Sequence, residues 1–341
     1  MEIVEVKGNE SNSKILIGES LDHLQNYTEG KKPFIITDRN VDHLYRERFP
    51  NAQKYIIEPG EESKKIQTTI EIYRWLLTND ADRSSFVVGI GGGVVCDISG
   101  FVASTFMRGI DFGFVATTLL AQVDASVGGK NGVDLDGYKN IIGTINQPKF
   151  VICDTSMLKT LSSLEFSNGM AEVVKHALIA DKEKFEFIEK NFESILALDS
   201  EIVEYLVARS VQIKASIVET DEREKGLRRV LNLGHTWGHA VEKLTGLPHG
   251  QAVSIGLAFS ANLSVHKGLM SINEQDHLIK LLTKFGLPVK TNVNPSDVLE
   301  VILKDKKREN DFVRFILMKG IGSVVVEEIL FKELLNFIQI I

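Results

Sequence analysis

Short β-branched runs separated by helical periods fill the first half of the chain. Lys14–Ile17, Pro33–Thr37, Lys54–Ile57, Ser85–Ile90, Gly113–Ala116 and Phe150–Cys153 each read as a strand. Between them lie stretches with an apolar period of one helical turn. The clearest is Ser63–Thr78, where Ile66, Ile70, Tyr73 and Leu77 fall on one face. This alternation predicts a mostly parallel sheet covered on both sides. After about Leu161 the helical patterns follow one another: Glu165–Ala180, Lys182–Asn191, Glu201–Thr220, Gly226–Leu244, Gln251–Lys267 and Asn273–Phe285. Only Phe312–Met318 and Ser323–Glu327 read as extended there. The expectation is an α/β N-terminal domain over residues 1–160 and an all-helical C-terminal domain over residues 161–341.

The stretch Asn232–Gly250 changes the picture from fold to chemistry. His235 and His239 stand four apart with no helix breaker between Thr236 and Thr245, so a helix places both imidazoles on one face. The helix should end near Gly246 and Pro248, and His249 follows directly. Imidazole is the commonest protein ligand for a metal such as zinc. A lone pair at this spacing is otherwise a pair of surface histidines; the third imidazole after the break favours a metal site.

Composition narrows the partners. The chain is 43% hydrophobic and 25% charged, with a net charge of −7, which argues against nucleic acid or an anionic membrane. An anionic substrate has to be held by local basic residues. Cys96 and Cys153 are the only cysteines, too few for a disulfide framework or a thiolate zinc site. The N-terminus lacks the basic and apolar regions of a signal peptide, and the most apolar window, Phe86–Ala103, carries five glycines and an aspartate. A cytoplasmic protein is expected.

Two further stretches carry candidate chemistry. Gly89-Ile90-Gly91-Gly92-Gly93-Val94 follows a buried strand and opens a helical run, where free N–H groups suit a phosphate. Val94 replaces the last glycine of the dinucleotide fingerprint, and Asp38 and Asn40, past an earlier strand, are the candidates for ribose hydroxyls. Asp124–Asn140 reads as a polar loop, but it holds Asp124, Lys130, Lys139 and Asn140. Glu172 and Lys175 are three apart on a helix, a spacing that by itself suggests a surface ion pair. Lys214 and Arg228 flank the acidic run Glu219–Glu224.

Taken together, GGGVVCDISGFVASTFMRG, TTLLAQVDASVGGKNGVD, KNIIGTINQP, GMAEVVKHALI, LNLGHTWGHAVE with PHG, and DKK at 305–307 resemble the 3-dehydroquinate synthase family. The motifs run in family order over most of the chain. The resemblance implies a homodimer with an NAD-binding α/β half, a helical metal-binding half, and a site in the cleft. It also reassigns the metal: Glu172, His235 and His249 become the ligands of zinc, with cobalt possible, and His239 faces the substrate. By position it implies Asp38, Asn40, Glu61, Lys64, Gly92, Gly93, Asp97, Thr117, Thr118, Lys139 and Thr160 at NAD. Asp124, Lys130, Asn140, Lys175, Lys214, Arg228 and Asn232 would join His239 at the substrate. Arg108 would reach across the dimer to the neighbour's phosphate, and one of Lys306 and Lys307 would also touch phosphate. Leu233, Asn146 and Cys96 depart from the usual residues without removing a charge.

The substrate so implied is 3-deoxy-D-arabino-heptulosonate 7-phosphate, cyclised by transient oxidation, phosphate loss, re-reduction and aldol closure. Rival readings are a metal-dependent alcohol or glycerol dehydrogenase, a sister cyclase acting on a neutral sugar phosphate, and a non-catalytic binding module. Lys130, Asn140 and Arg228 together count against the first, and an intact Glu172, Lys175 and histidine set against the last.

Overall fold

The computed structural model describes residues 1–9, 11–305 and 312–340. Lys306 and Lys307 lie outside the described residues. The described chain forms two compact units, one of Met1–Ser162 with Leu198–Arg223, the other of Ser163–Ala197 with Glu224–Ile341.

The first unit is built on a seven-stranded sheet. Its strands are β1 (Glu2–Lys7), β2 (Asn12–Ile17), β3 (Pro33–Asp38), β4 (Gln53–Ile57), β5 (Phe86–Gly91), β6 (Asp111–Ala116) and β9 (Phe150–Cys153). The order is β1-β2-β9-β6-β5-β3-β4, parallel except for the β1–β2 hairpin. Helices α1 (Arg39–Tyr45), α2 (Ile66–Thr78) and α3 (Gly93–Thr105) follow β3, β4 and β5. All six residues of β5 are buried, as expected for a central parallel strand covered on both faces. The chain leaves β3 toward β4 and leaves β5 toward β6, in opposite directions. The gap between β3 and β5 is therefore the switch point, where open α/β sheets bind their ligands at the carboxyl ends of the strands.

Two sequence expectations are corrected here. On α2 the buried residues are Thr69, Ile72 and Leu76, whereas Ile70 and Leu77 are 41% and 58% exposed. The period was right and the phase wrong, because Thr69 packs inward despite its hydroxyl. The Asp124–Asn140 stretch is not a loop: β7 (Lys130–Leu135) and β8 (Tyr138–Ile145) form an antiparallel hairpin. Its two-residue turn, Asp136-Gly137, has φ of 50° and 80°, the positive-φ pair that short hairpins favour.

The second unit contains α4 (Ser163–Ala180), α5 (Lys182–Lys190), α6 (Phe192–Leu196), α8 (His235–Thr245), α9 (His249–His266), α10 (Ile272–Lys284), α11 (Pro295–Asp305) and α12 (Phe331–Ile338). The intervening α7 (Ser200–Thr220) belongs to the first unit. One antiparallel hairpin, β10 (Phe312–Met318) with β11 (Val324–Leu330), closes the helical unit where the sequence reads as extended. Its core includes Trp237 stacked on Phe259 at 3.7 Å, with Phe315 and Phe337 against them. Among the described residues no helix is long and apolar enough to cross a membrane.

The Gly226–Leu244 stretch is not one helix. A 3-10 turn, Leu227–Asn232, is separated from α8 by Gly234, whose φ of 78° ends one element and lets the next begin. Arg228 and Asn232, four apart, do not share a face in a 3-10 turn, which repeats every three residues.

Candidate functional site

In the first unit, the carboxyl ends of the parallel strands collect most of the residues expected at NAD. Asp38 closes β3 and caps α1, its Oδ1 accepting from the N–H groups of Asn40 at 2.9 Å and Val41 at 3.0 Å. Burial pushes its carboxyl above the ordinary range despite those two donors. Gly92 and Gly93 open α3 directly after β5. Beside them Thr117 N–H donates to Gly91 O at 2.9 Å, and Thr118 Oγ1 accepts from Ala121 N–H at 3.1 Å.

A charged group lies on the neighbouring turn. The Lys64 ammonium pairs with Asp97 of α3, and Lys139 of β8 approaches Glu61 at 3.6 Å. Burial raises the Asp97 carboxyl, with the Lys64 charge opposing the rise. The hairpin anchors this turn, since Asp134 N–H donates to Lys64 O at 2.7 Å. Thr160 is set apart on the turn after β9, where its Oγ1 lies 2.6 Å from Tyr45 OH.

Of the residues expected at the substrate, the first unit supplies four besides Lys214. Asp124 sits on a π-helical turn, Ala121–Ala125, a distortion frequent at functional positions. Lys214, on α7 and 7% exposed, donates to Asp124 Oδ1 at 2.7 Å and to Asp124 O at 2.6 Å. In the acidic run that follows, Glu219 accepts from Lys7 N–H and Glu222 from Asn9 N–H. Lys130 begins β7 and Asn140 lies on β8 with a φ of 52°, its N–H donating to Asp134 Oδ1 at 2.7 Å. Arg108 is exposed and left-handed, with φ of 71°.

The second unit brings its candidates together by close helix packing. Gly250 of α9 rests on Asn168 of α4, and Gly256 of α9 rests on Gly234, where a Cβ would lie 1.8 Å from the carbonyl oxygen. These contacts bring α4, α8 and α9 together with Glu172, His235 and His249 pointing at one another. Glu172 Oε1 is 3.6 Å from His235 Nε2 and 3.5 Å from His249 Nε2. Glu172 is fully buried, and Lys175, 2% exposed, forms an ion pair with its other oxygen. The surface ion pair suggested by spacing is therefore a buried one, because α4 is covered on nearly every side.

Each imidazole is oriented through its other nitrogen. His235 Nδ1 lies 3.0 Å from Leu233 O, and His249 Nδ1 lies 3.4 Å from Glu242 Oε2. With a metal displacing the Nε2 proton and the proton kept on Nδ1, these contacts would orient both rings toward the ion, the arrangement usual for metal-bound histidines. Burial and the nearby Lys175 charge hold His235 well below the usual range. Burial also opposes charging His249, but Glu172 and Glu242 outweigh it and push the ring up to about 9. His239 lies at the rim, exposed, with its ring 5.0 Å from that of His235.

These residues fit a divalent ion. Two ligands at about 2.05 Å on a tetrahedral zinc lie about 3.3 Å apart, close to the observed separations. The donor set, one carboxylate and two imidazoles that become neutral as the ion displaces the Nε2 proton, suits a borderline metal and leaves positions for other ligands. Ligand atoms of His239, Glu242 and His249 also come within 4.8 Å of one another, but that group is more exposed. Sequence reasoning missed Glu242; its position, three residues after His239 and on the face turned to His249, was the available signal. On the 3-10 turn, Arg228 is 3% exposed and Asn232 Nδ2 donates to Glu224 Oε1 at 2.5 Å.

A parallel sheet with a glycine turn at its switch point, and a helical unit with a buried carboxylate between two imidazoles, have the build of the sugar phosphate cyclases. Residues 54–168 match the family model described as 3-dehydroquinate synthase N-terminal, and residues 169–308 the one described as 3-dehydroquinate synthase C-terminal. The chain is an enzyme of the 3-dehydroquinate synthase family. It is 41% identical over 311 residues to a 3-dehydroquinate synthase of Prochlorococcus marinus strain AS9601, covering 87% of this chain and 86% of that one. Among solved structures it is similar to the 2-epi-5-epi-valiolone synthase of Streptomyces hygroscopicus subsp. jinggangensis 5008 with NAD+ and Zn2+ bound (TM-score 0.89, 26% identity, 98% of each chain). It is also similar to a 2-deoxy-scyllo-inosose synthase complexed with carbaglucose-6-phosphate, NAD+ and Co2+ (TM-score 0.84, 26% identity, 99% of each chain).

Proposed function

We propose that the chain is a 3-dehydroquinate synthase, converting 3-deoxy-D-arabino-heptulosonate 7-phosphate to 3-dehydroquinate and phosphate. The observation that carries this reading is the Glu172–His235–His249 cluster in a chain of this family. Those three residues would hold zinc or cobalt, and the residues at the ends of β3, β5 and β6 would hold NAD. NAD held there would supply a reversible hydride acceptor, and a metal held by the three residues would supply a Lewis acid that lowers the pKa of a substrate hydroxyl.

The chain's own residues supply binding and charge. Lys130, Asn140, Asn232 and Arg108 stabilise the charge on the phosphate as it leaves, the two asparagines by hydrogen bonds and Arg108 acting across a homodimer. Asp124 orients the Lys214 ammonium, which with Arg228 holds the substrate carboxylate. Lys175, tied to Glu172, and His239, at the exposed rim, are the groups assigned to proton movement. The same reading makes the protein a cytoplasmic homodimer.

The test is phosphate release by purified protein supplied with the heptulosonate phosphate and NAD. Phosphate should accumulate while reduced-nicotinamide absorbance stays nearly flat, because the hydride is returned within each turnover. Stoichiometric NADH would instead indicate a dehydrogenase.

A further inference from the structure

The carboxyl ends of β3 and β4 carry three charged residues in adjacent positions. Asp38 is paired in register with Ile57, so Arg39 and Glu58 leave the sheet side by side. Arg39 donates to Glu58 with both prongs of its guanidinium, from Nε to Oε2 at 3.2 Å and from Nη2 to Oε1. Asp38 differs: Oδ1 caps α1, and Oδ2 has no hydrogen-bond partner among the described residues.

A dinucleotide's adenosine ribose presents either a 2′-hydroxyl or a 2′-phosphate. A carboxylate at the end of a strand accepts from the hydroxyl, whereas a neighbouring arginine accommodates the phosphate. This chain has one of each in consecutive positions, so neither residue alone decides the choice. We propose that Glu58 sets it, engaging Arg39 and adding a second carboxylate against which a 2′-phosphate must be placed. The inference rests on the NAD reading above and extends it to a specificity-determining pair. An exposed ion pair is a weak tie, so the effect is several-fold and not thousands-fold. Both side chains are about two-thirds exposed (68% and 65%), so substitution leaves the core undisturbed.

The experiment is calorimetric titration of the full chain with NAD and with NADP at one fixed, low ionic strength. Glu58→Gln should lower the NADP Kd by about 2- to 5-fold and move the NAD Kd less, narrowing the ratio. Adding Arg39→Gln to that variant should abolish the gain. An NADP affinity unmoved or still undetectable in Glu58→Gln overturns the proposal, as does a gain that survives the loss of Arg39. If the unaltered protein binds neither dinucleotide, the NAD reading itself fails; if it binds NAD and the ratio does not move, only the role of Glu58 fails.

Discussion

Gly250 and Asn168 meet backbone to backbone, so closely that a Cβ on Gly250 would lie 2.3 Å from the Asn168 carbonyl oxygen. Neither partner is a flexible side chain that could turn away. His249 precedes Gly250 and Glu172 lies one turn beyond Asn168, so this contact fixes the distance between two proposed ligands. Gly250→Ala should cost about 1–3 kcal/mol of stability and lower the metal content of the purified protein. Denaturant unfolding and elemental analysis on the same preparation check it; a variant matching the unaltered protein in both would remove the contact from the argument.

The proposed ligand set makes a sharper statement. Alanine at Glu172, His235 or His249 should each strip most of the bound metal, whereas His239→Ala should retain it and lose turnover. Metal analysis of the four proteins decides. A His239→Ala protein as poor in metal as His235→Ala would restore the histidine pair that helical spacing alone suggests.

The Lys64–Asp97 pair gives a pH prediction. Both side chains are largely buried, and the folded Asp97 carboxyl is raised by burial even with Lys64 beside it. A carboxyl raised in the folded state contributes stability below its unfolded value, and that contribution is lost as pH rises through the folded one. Lys64→Met removes the opposing charge and raises the carboxyl further. The variant should be about 3–5 kcal/mol less stable at pH 8 and recover part of that deficit at pH 5. Urea midpoints at the two pH values test it, and an equal deficit at both would count against the pairing.

Arg228, almost fully buried on its 3-10 turn, is assigned to the substrate carboxylate. Arg228→Met should cost about 2–5 kcal/mol in kcat/KM, the range for truncating one partner of a buried charge pair. Activity within a few-fold of the unaltered protein would refute that role. Efficient turnover of sedoheptulose 7-phosphate, which lacks the carboxylate, would move the protein to a sister cyclase.

Much of the first unit was legible because central parallel strands are continuous apolar runs, as β5 and β9 are. The β7–β8 hairpin was hidden by its polarity: β8 is exposed or half-buried throughout, so no buried face stamps alternation on the sequence. Asp136-Gly137 was the one local sign of its turn. The break at Gly234 was hidden for the opposite reason, since the residues on both sides have helical periods and a glycine interrupts without announcing its φ. At the metal cluster, sequence spacing sees neighbours on one helix, His235 and His239. It cannot see Glu172, brought to His235 by packing between helices.

The chain visits the first unit twice, and this has a consequence for synthesis. Helix α7 packs on β1 and β2, the first strands to emerge, yet it is translated only after Ser163–Ala197 of the other unit. Until about residue 223 has left the ribosome, the hairpin edge of the sheet lacks the helix that packs on it. A nascent chain halted near residue 162 should therefore be sticky and protease-sensitive, and the two units cannot mature as independent beads on a string.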